Sequence, residues 1–184
     1  MPAEREIASE AEVLELVVAG IDLPQYIFSR RFKGFLFFDA DICTSAPLIS
    51  AVQAVAKVSN GLQSTVKVFN SANRQLLGCL NLTCDLPAEI KKMSEEMNAS
   101  GYHGGLILVE AQKRWALYQK RPVDMGVFAF DGDQDLRPIS TITNDYFVRH
   151  QDIALWLSGE TQRDIDLVDG FGRNFLTELI KNYS

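Results

Sequence analysis

A chain of 184 residues with 47% hydrophobic and 23% charged residues has the composition of one globular domain, which excludes a disordered or fibrous chain and needs no metal or disulfide to hold its core. The formal net charge of −6 argues against nucleic-acid binding, which requires a basic surface to neutralise phosphates. It favours a basic partner drawn in by electrostatic steering.

Residues 4–19 have the pattern of a helix: Ser9 and Glu12 offer a capping box, Leu14, Val17 and Val18 form an apolar stripe, and Gly20 stops it. This acidic, amphipathic start lacks the basic-then-apolar order of a signal peptide. No apolar run approaches the roughly 20 residues that cross a bilayer, so a cytoplasmic location without membrane contact is expected. After Pro24, the basic cluster Arg30, Arg31 and Lys33 leads into Gly34-Phe35-Leu36-Phe37-Phe38, a continuous apolar run with the character of a strand buried on both faces. Thr44-Ser45-Ala46-Pro47 is a helix-start signal, and Leu48, Val52, Val55 and Ala56 recur at helical spacing until Asn60-Gly61.

Ser64–Phe69 and Gln75–Thr83 form a hairpin pattern about Asn70-Ser71-Ala72-Asn73. Asp85 and Pro87 open a polar helix that ends at Gly101, and three strand patterns follow at Leu106–Glu110, Trp115–Gln119 and Gly126–Phe130. Their connections are too short for parallel crossovers, so they form an antiparallel meander. Helices are expected over Asp145–Leu157 and Arg163–Asn182, the second open to a break at Gly170-Phe171-Gly172. The fold class is α+β: a single domain over 1–184 with a mainly antiparallel sheet of about six strands. Helices pack on it from the N-terminus, the middle and the C-terminus. Cys43, Cys79 and Cys84, an odd set without C-x-x-C spacing, read as reduced core or near-core thiols.

Four apolar residues followed by Asp39-Ala40-Asp41 resemble the first motif of the haloacid dehalogenase-like phosphohydrolases. That resemblance implies Asp39 as nucleophile, Asp41 as acid or base beside a magnesium ion, Ser71 as phosphate-binding hydroxyl, and Asp131 with Asp133 as metal ligands. Read from the residues alone, the two aspartates cap the loop and helix that follow a buried strand. Asp131-Gly132-Asp133-Gln134-Asp135 opens like a calcium loop, yet Leu136 and Ile142 stand where glycine and a bidentate glutamate are required. It reads as an acidic surface turn, and no metal or other cofactor is expected.

His103 and His150 are the only histidines, and neither has a partner at ligand spacing. A multi-histidine zinc site is therefore excluded, and without a Gly-x-Ser-x-Gly elbow so is a hydrolase triad of that type. Gly170-x-Gly172 lacks a preceding strand and a third glycine, so it reads as a helix break rather than an anion loop. Lys113, Arg114, Lys120 and Arg121 bracket the aromatic strand Trp115–Tyr118 and read as turn charges. No catalytic set is favoured. The remaining class is a non-catalytic protein-binding module, whose acidic profile is similar to that of immunity proteins and antitoxins that neutralise a basic toxin or nuclease. The carboxylates expected to meet such a partner are Asp131, Asp133 and Asp135, then Asp164, Asp166 and Asp169.

Overall fold

Apolar runs that do not alternate become strands whose two faces are both covered. The computed structural model describes residues 15–60, 64–122, 125–131 and 144–184. In chain order these form β1 (Gly34–Phe38), α1 (Ala46–Asn60), β2 (Thr65–Asn70), β3 (Leu76–Asn81), α2 (Leu86–Ala99), β4 (Leu106–Glu110), β5 (Trp115–Gln119), β6 (Gly126–Phe130), α3 (His150–Ser158), α4 (Gln162–Phe171) and α5 (Arg173–Tyr183). The strands make one six-stranded sheet in the order β1-β6-β5-β4-β2-β3. Every neighbouring pair is antiparallel. The α+β fold with an antiparallel sheet is thus present as the strand spacing requires.

Side chains of successive strand residues leave on opposite faces. Leu36, Phe38, Leu106, Leu108, Trp115, Leu117, Phe128 and Phe130 join α1 and α2 in one core. Phe37, Ile107, Val109, Ala116, Tyr118, Val127 and Ala129 join α3–α5 and the segment from Leu16 to Phe32 in a second. At the β1–β6 pair the two glycines make room for aromatic rings. Gly34 stands opposite Phe130, and Gly126 opposite Phe38, and a Cβ on either glycine would fall within 2.6 Å of the facing ring.

Local signals account for several boundaries. Asp85 caps α2 by accepting the Ala88 N–H at 3.2 Å, with Pro87 in the first turn, where its missing N–H costs nothing. Ser45 Oγ accepts from Leu48 N at the start of α1. Gly172, at φ +89°, separates α4 from α5, which is the expected break.

Three expectations change. The helix expected at Asp145–Leu157 is regular only from His150, because Val148 is extended and exchanges two hydrogen bonds with Phe37, at 2.8 and 2.7 Å. Residues 1–14, including the Ser9 and Glu12 capping box, lie outside the described residues, of which Glu15 and Leu16 are helical. Val17 then leaves the helix to bridge Phe28, with Val18 N–H donating to Ile27 O at 2.8 Å. Cys43 is buried, but Cys79 is exposed, since it points away from the face on which its neighbour Leu80 is buried.

Candidate functional site

The Asp39–Asp41 corner is built as structure. Asp41 Oδ1 accepts the Cys43 N–H at 2.9 Å, and its backbone oxygen accepts from Thr44 and Ser45. Its other carboxylate oxygen meets Arg121 Nη2 at 2.7 Å, with both side chains mostly covered. The fully buried Gln119 completes the corner: its Oε1 accepts the Ile42 N–H at 2.8 Å and its Nε2 donates to Ala40 O at 3.0 Å. Burial also pushes the Cys43 thiol up, against the lowering effect of Ser94 and Arg121. It therefore remains a protonated core thiol and no nucleophile. Replacing Gln119 by alanine strands one buried donor and one buried acceptor. The expected cost is about 2–3 kcal/mol, measurable by urea denaturation.

Asp39 is exposed, and among the described residues the two ends of the proposed carboxylate set, Asp39 and Asp131, do not come together. Asp39 follows the Phe38 end of β1, whereas Asp131 follows the Phe130 end of β6, paired with Gly34. In that register Asp131 falls level with Lys33, six residue steps from Asp39, about 20 Å of strand. Ser71 lies in the β2–β3 turn, four strands across the sheet from β1, about 19 Å by strand spacing. Asp133 lies outside the described residues, as does Asp135. Among the described residues no group of three or more His, Cys, Asp or Glu is placed to hold a metal ion.

Asp131 serves as an anchor. Arg30 grips it with two bonds, Nη1 to Oδ1 at 3.0 Å and Nη2 to Oδ2 at 2.6 Å, while the Asp131 N–H donates to Arg114 O at 2.9 Å. Arg30 also stacks over Phe32 at 4.0 Å and bonds the Lys113 carbonyl. Both partners are about one-third exposed, so the pair is worth under about 1 kcal/mol. Its oxygens are occupied within the chain. The other turn cations are likewise engaged: Arg114 with Glu110, Lys120 with Asp22 and Arg121 with Asp41.

The α4 carboxylates divide by role. Asp164 closes a capping box with Thr161, whose N–H and hydroxyl both donate to it, at 3.0 and 2.7 Å. Asp166 accepts from Gln162 one turn earlier, at 2.8 Å, and is exposed, as is Asp169. Asp166 and Asp169 stand three apart and so share a helix face.

Asp169 borders a cleft of about 230 Å³ where α3, α4 and α5 meet, lined also by Trp156, Ile165, Val168 and Arg173. Trp156 is stacked on Phe171, 6.3 Å between centroids and 7° between planes. Ile165 is 42% exposed, and Leu155, beside Trp156 on α3, is 60% exposed. Between His150 and Gly172 the chain carries five carboxylates against one arginine, Arg163. The outer surface of the C-terminal helices thus combines exposed aliphatic side chains, a stacked aromatic pair and an excess of carboxylates, with Arg173 as a cation on the cleft itself.

Trp156, Leu155 and Ile165 were not among the sequence-derived candidates. The run Ala154-Leu155-Trp156-Leu157 did carry a signal, because four consecutive apolar residues wrap around a helix and cannot all face one core. No family model matches this chain, and neither a curated protein nor a solved structure does.

Proposed function

We propose that this chain is a non-catalytic protein-binding module of the immunity or antitoxin type, which neutralises a basic toxin or nuclease by direct association. The supporting observation is the surface formed by α3 and α4, where Leu155 and Ile165 are exposed, Ile165 and Asp169 line the Trp156 cleft, and Asp166 is exposed three residues before Asp169. Exposed aliphatic and aromatic side chains supply contact energy once a partner excludes water from them. The carboxylates steer a basic partner and set its orientation.

Asp164 contributes by starting α4 rather than by contact, and Asp131 by fastening the segment before β1 to the end of β6. Asp133 and Asp135 remain candidate partner contacts by charge alone. The test is co-expression of the tagged chain with the basic product of an adjacent gene, beside a D166K/D169K variant. Co-purification with the wild-type chain, lost in the variant, supports this reading. Equal recovery with both, or with neither, contradicts it.

A further inference from the structure

Among the described residues, the outer edge of β1 is only half covered. Phe37 gives its N–H to Val148 O at 2.8 Å and accepts the Val148 N–H at 2.7 Å. Outward-facing backbone pairs recur at every second residue of an antiparallel strand, so Phe35 turns its N–H and C=O to the same side. The chain that serves Phe37 does not continue along this edge. It turns at Arg149 and enters α3 at His150, and no partner of the Phe35 pair is present among the described residues.

A cleft of about 320 Å³ opens beside Phe35. Among the described residues the charged side chains that line it are Arg31, Lys33 and Arg149, with His150 beside them, and none is an aspartate or glutamate. This is a local inversion in a chain with 24 acidic and 18 basic side chains. Arg31 is held in place, 4.4 Å over the Tyr26 ring and 2.9 Å from the Asn182 carbonyl. A backbone donor and acceptor side by side match an extended chain, whereas a small anion leaves the carbonyl unserved.

We propose that this edge takes an extended, carboxylate-bearing segment of another protein as an added strand. The segment exchanges ladder hydrogen bonds with Phe35 and lays its carboxylates along the Arg31–Arg149 side of the cleft. An unpaired strand edge is the usual template for such addition, and the charge of the cleft selects an acidic segment over a basic one. Among the described residues the site shares no lining residue with the Trp156 cleft, where Asp169 and Arg173 both stand, so it goes beyond the proposed function and does not rest on it.

The test uses the full chain, isotope-labelled, titrated with the blocked hexapeptide acetyl-Thr-Glu-Val-Glu-Val-Thr-amide and with its lysine counterpart. The acidic peptide is expected to slow exchange of the Phe35 amide about tenfold or more, and the lysine peptide to leave it unchanged. In R149E the acidic peptide binds about tenfold more weakly while the amide spectrum of the sheet is kept. Three results overturn the proposal: a Phe35 amide that exchanges equally fast at saturating peptide, equal protection by both peptides, or a Phe35 amide already protected in the free chain, which places the chain's own residues on the edge.

Discussion

Tyr183→Ala is expected to lower the stability of this protein by about 4 kcal/mol, within the usual range for deleting a buried aromatic side chain. Tyr183 is 1% exposed, on the last turn of α5. Its ring meets Tyr26 and Phe35 at 5.1 Å and Phe37 at 5.6 Å. Its hydroxyl accepts the Ile27 N–H at 3.2 Å and donates to Gln25 O at 2.9 Å. One side chain therefore fastens α5 both to β1 and to the segment that precedes it. Burial holds its phenol above the ordinary range, so it stays a neutral donor at physiological pH. For a domain of this size the melting temperature should fall by about 8–16 °C. Tyr183→Phe keeps the ring contacts and strands the Ile27 N–H, and should cost only about 1–2 kcal/mol. Similar losses in the two variants would show that the ring contributes little.

Glu110→Gln should cost about 3 kcal/mol, because it removes the charge from a fully buried carboxylate that four groups serve. Ser64 Oγ donates to it at 2.7 Å, Arg114 Nη2 at 3.0 Å, and the backbone N–H groups of Gln112 and Arg114 at 3.0 and 3.1 Å. These bonds shape the β4–β5 turn, in which Lys113 takes a φ of +59°. Burial alone raises the carboxyl pKa, but the bonds from Arg114 and Ser64 outweigh it, and the group titrates below its ordinary range. A depressed folded pKa contributes stability that is full above the unfolded value, near 4.3, and is lost as the pH falls through the folded value. The stability gap between wild type and Glu110→Gln should therefore be widest near neutrality and narrow on acidification below the ordinary carboxylate range. Denaturation curves across that range measure it. A gap that widens toward acid would contradict the account.

The strand pattern was legible where the chain is locally consistent. Leu106–Glu110, Trp115–Gln119 and Gly126–Phe130 occur at the expected residues, because short connections leave antiparallel pairing as the solution. Continuous apolar runs such as Phe35–Phe38 often mark parallel strands, but here they arise because helices cover both faces of an antiparallel sheet. Long-range pairing was not legible. Val148 reads as helix until Phe37, 111 positions earlier in the numbering, offers it a backbone donor and acceptor. Asp131 reads as a free acidic turn until Arg30 closes on it. Asp164 carried a local signal, since Thr161-x-x-Asp164 is a capping box one residue type removed from the common form. The cleft at Trp156 depends on how α3, α4 and α5 cross, and no local spacing encodes that.

The central claim is that the acidic, apolar face of α3 and α4 binds a basic protein. Its most direct test is titration calorimetry of that partner against wild-type chain and D166K/D169K at low and at physiological ionic strength. The reversal is expected to weaken binding about tenfold or more, and added salt to weaken the wild-type complex more than the variant's. An affinity unchanged by the reversal, and indifferent to salt, would contradict it.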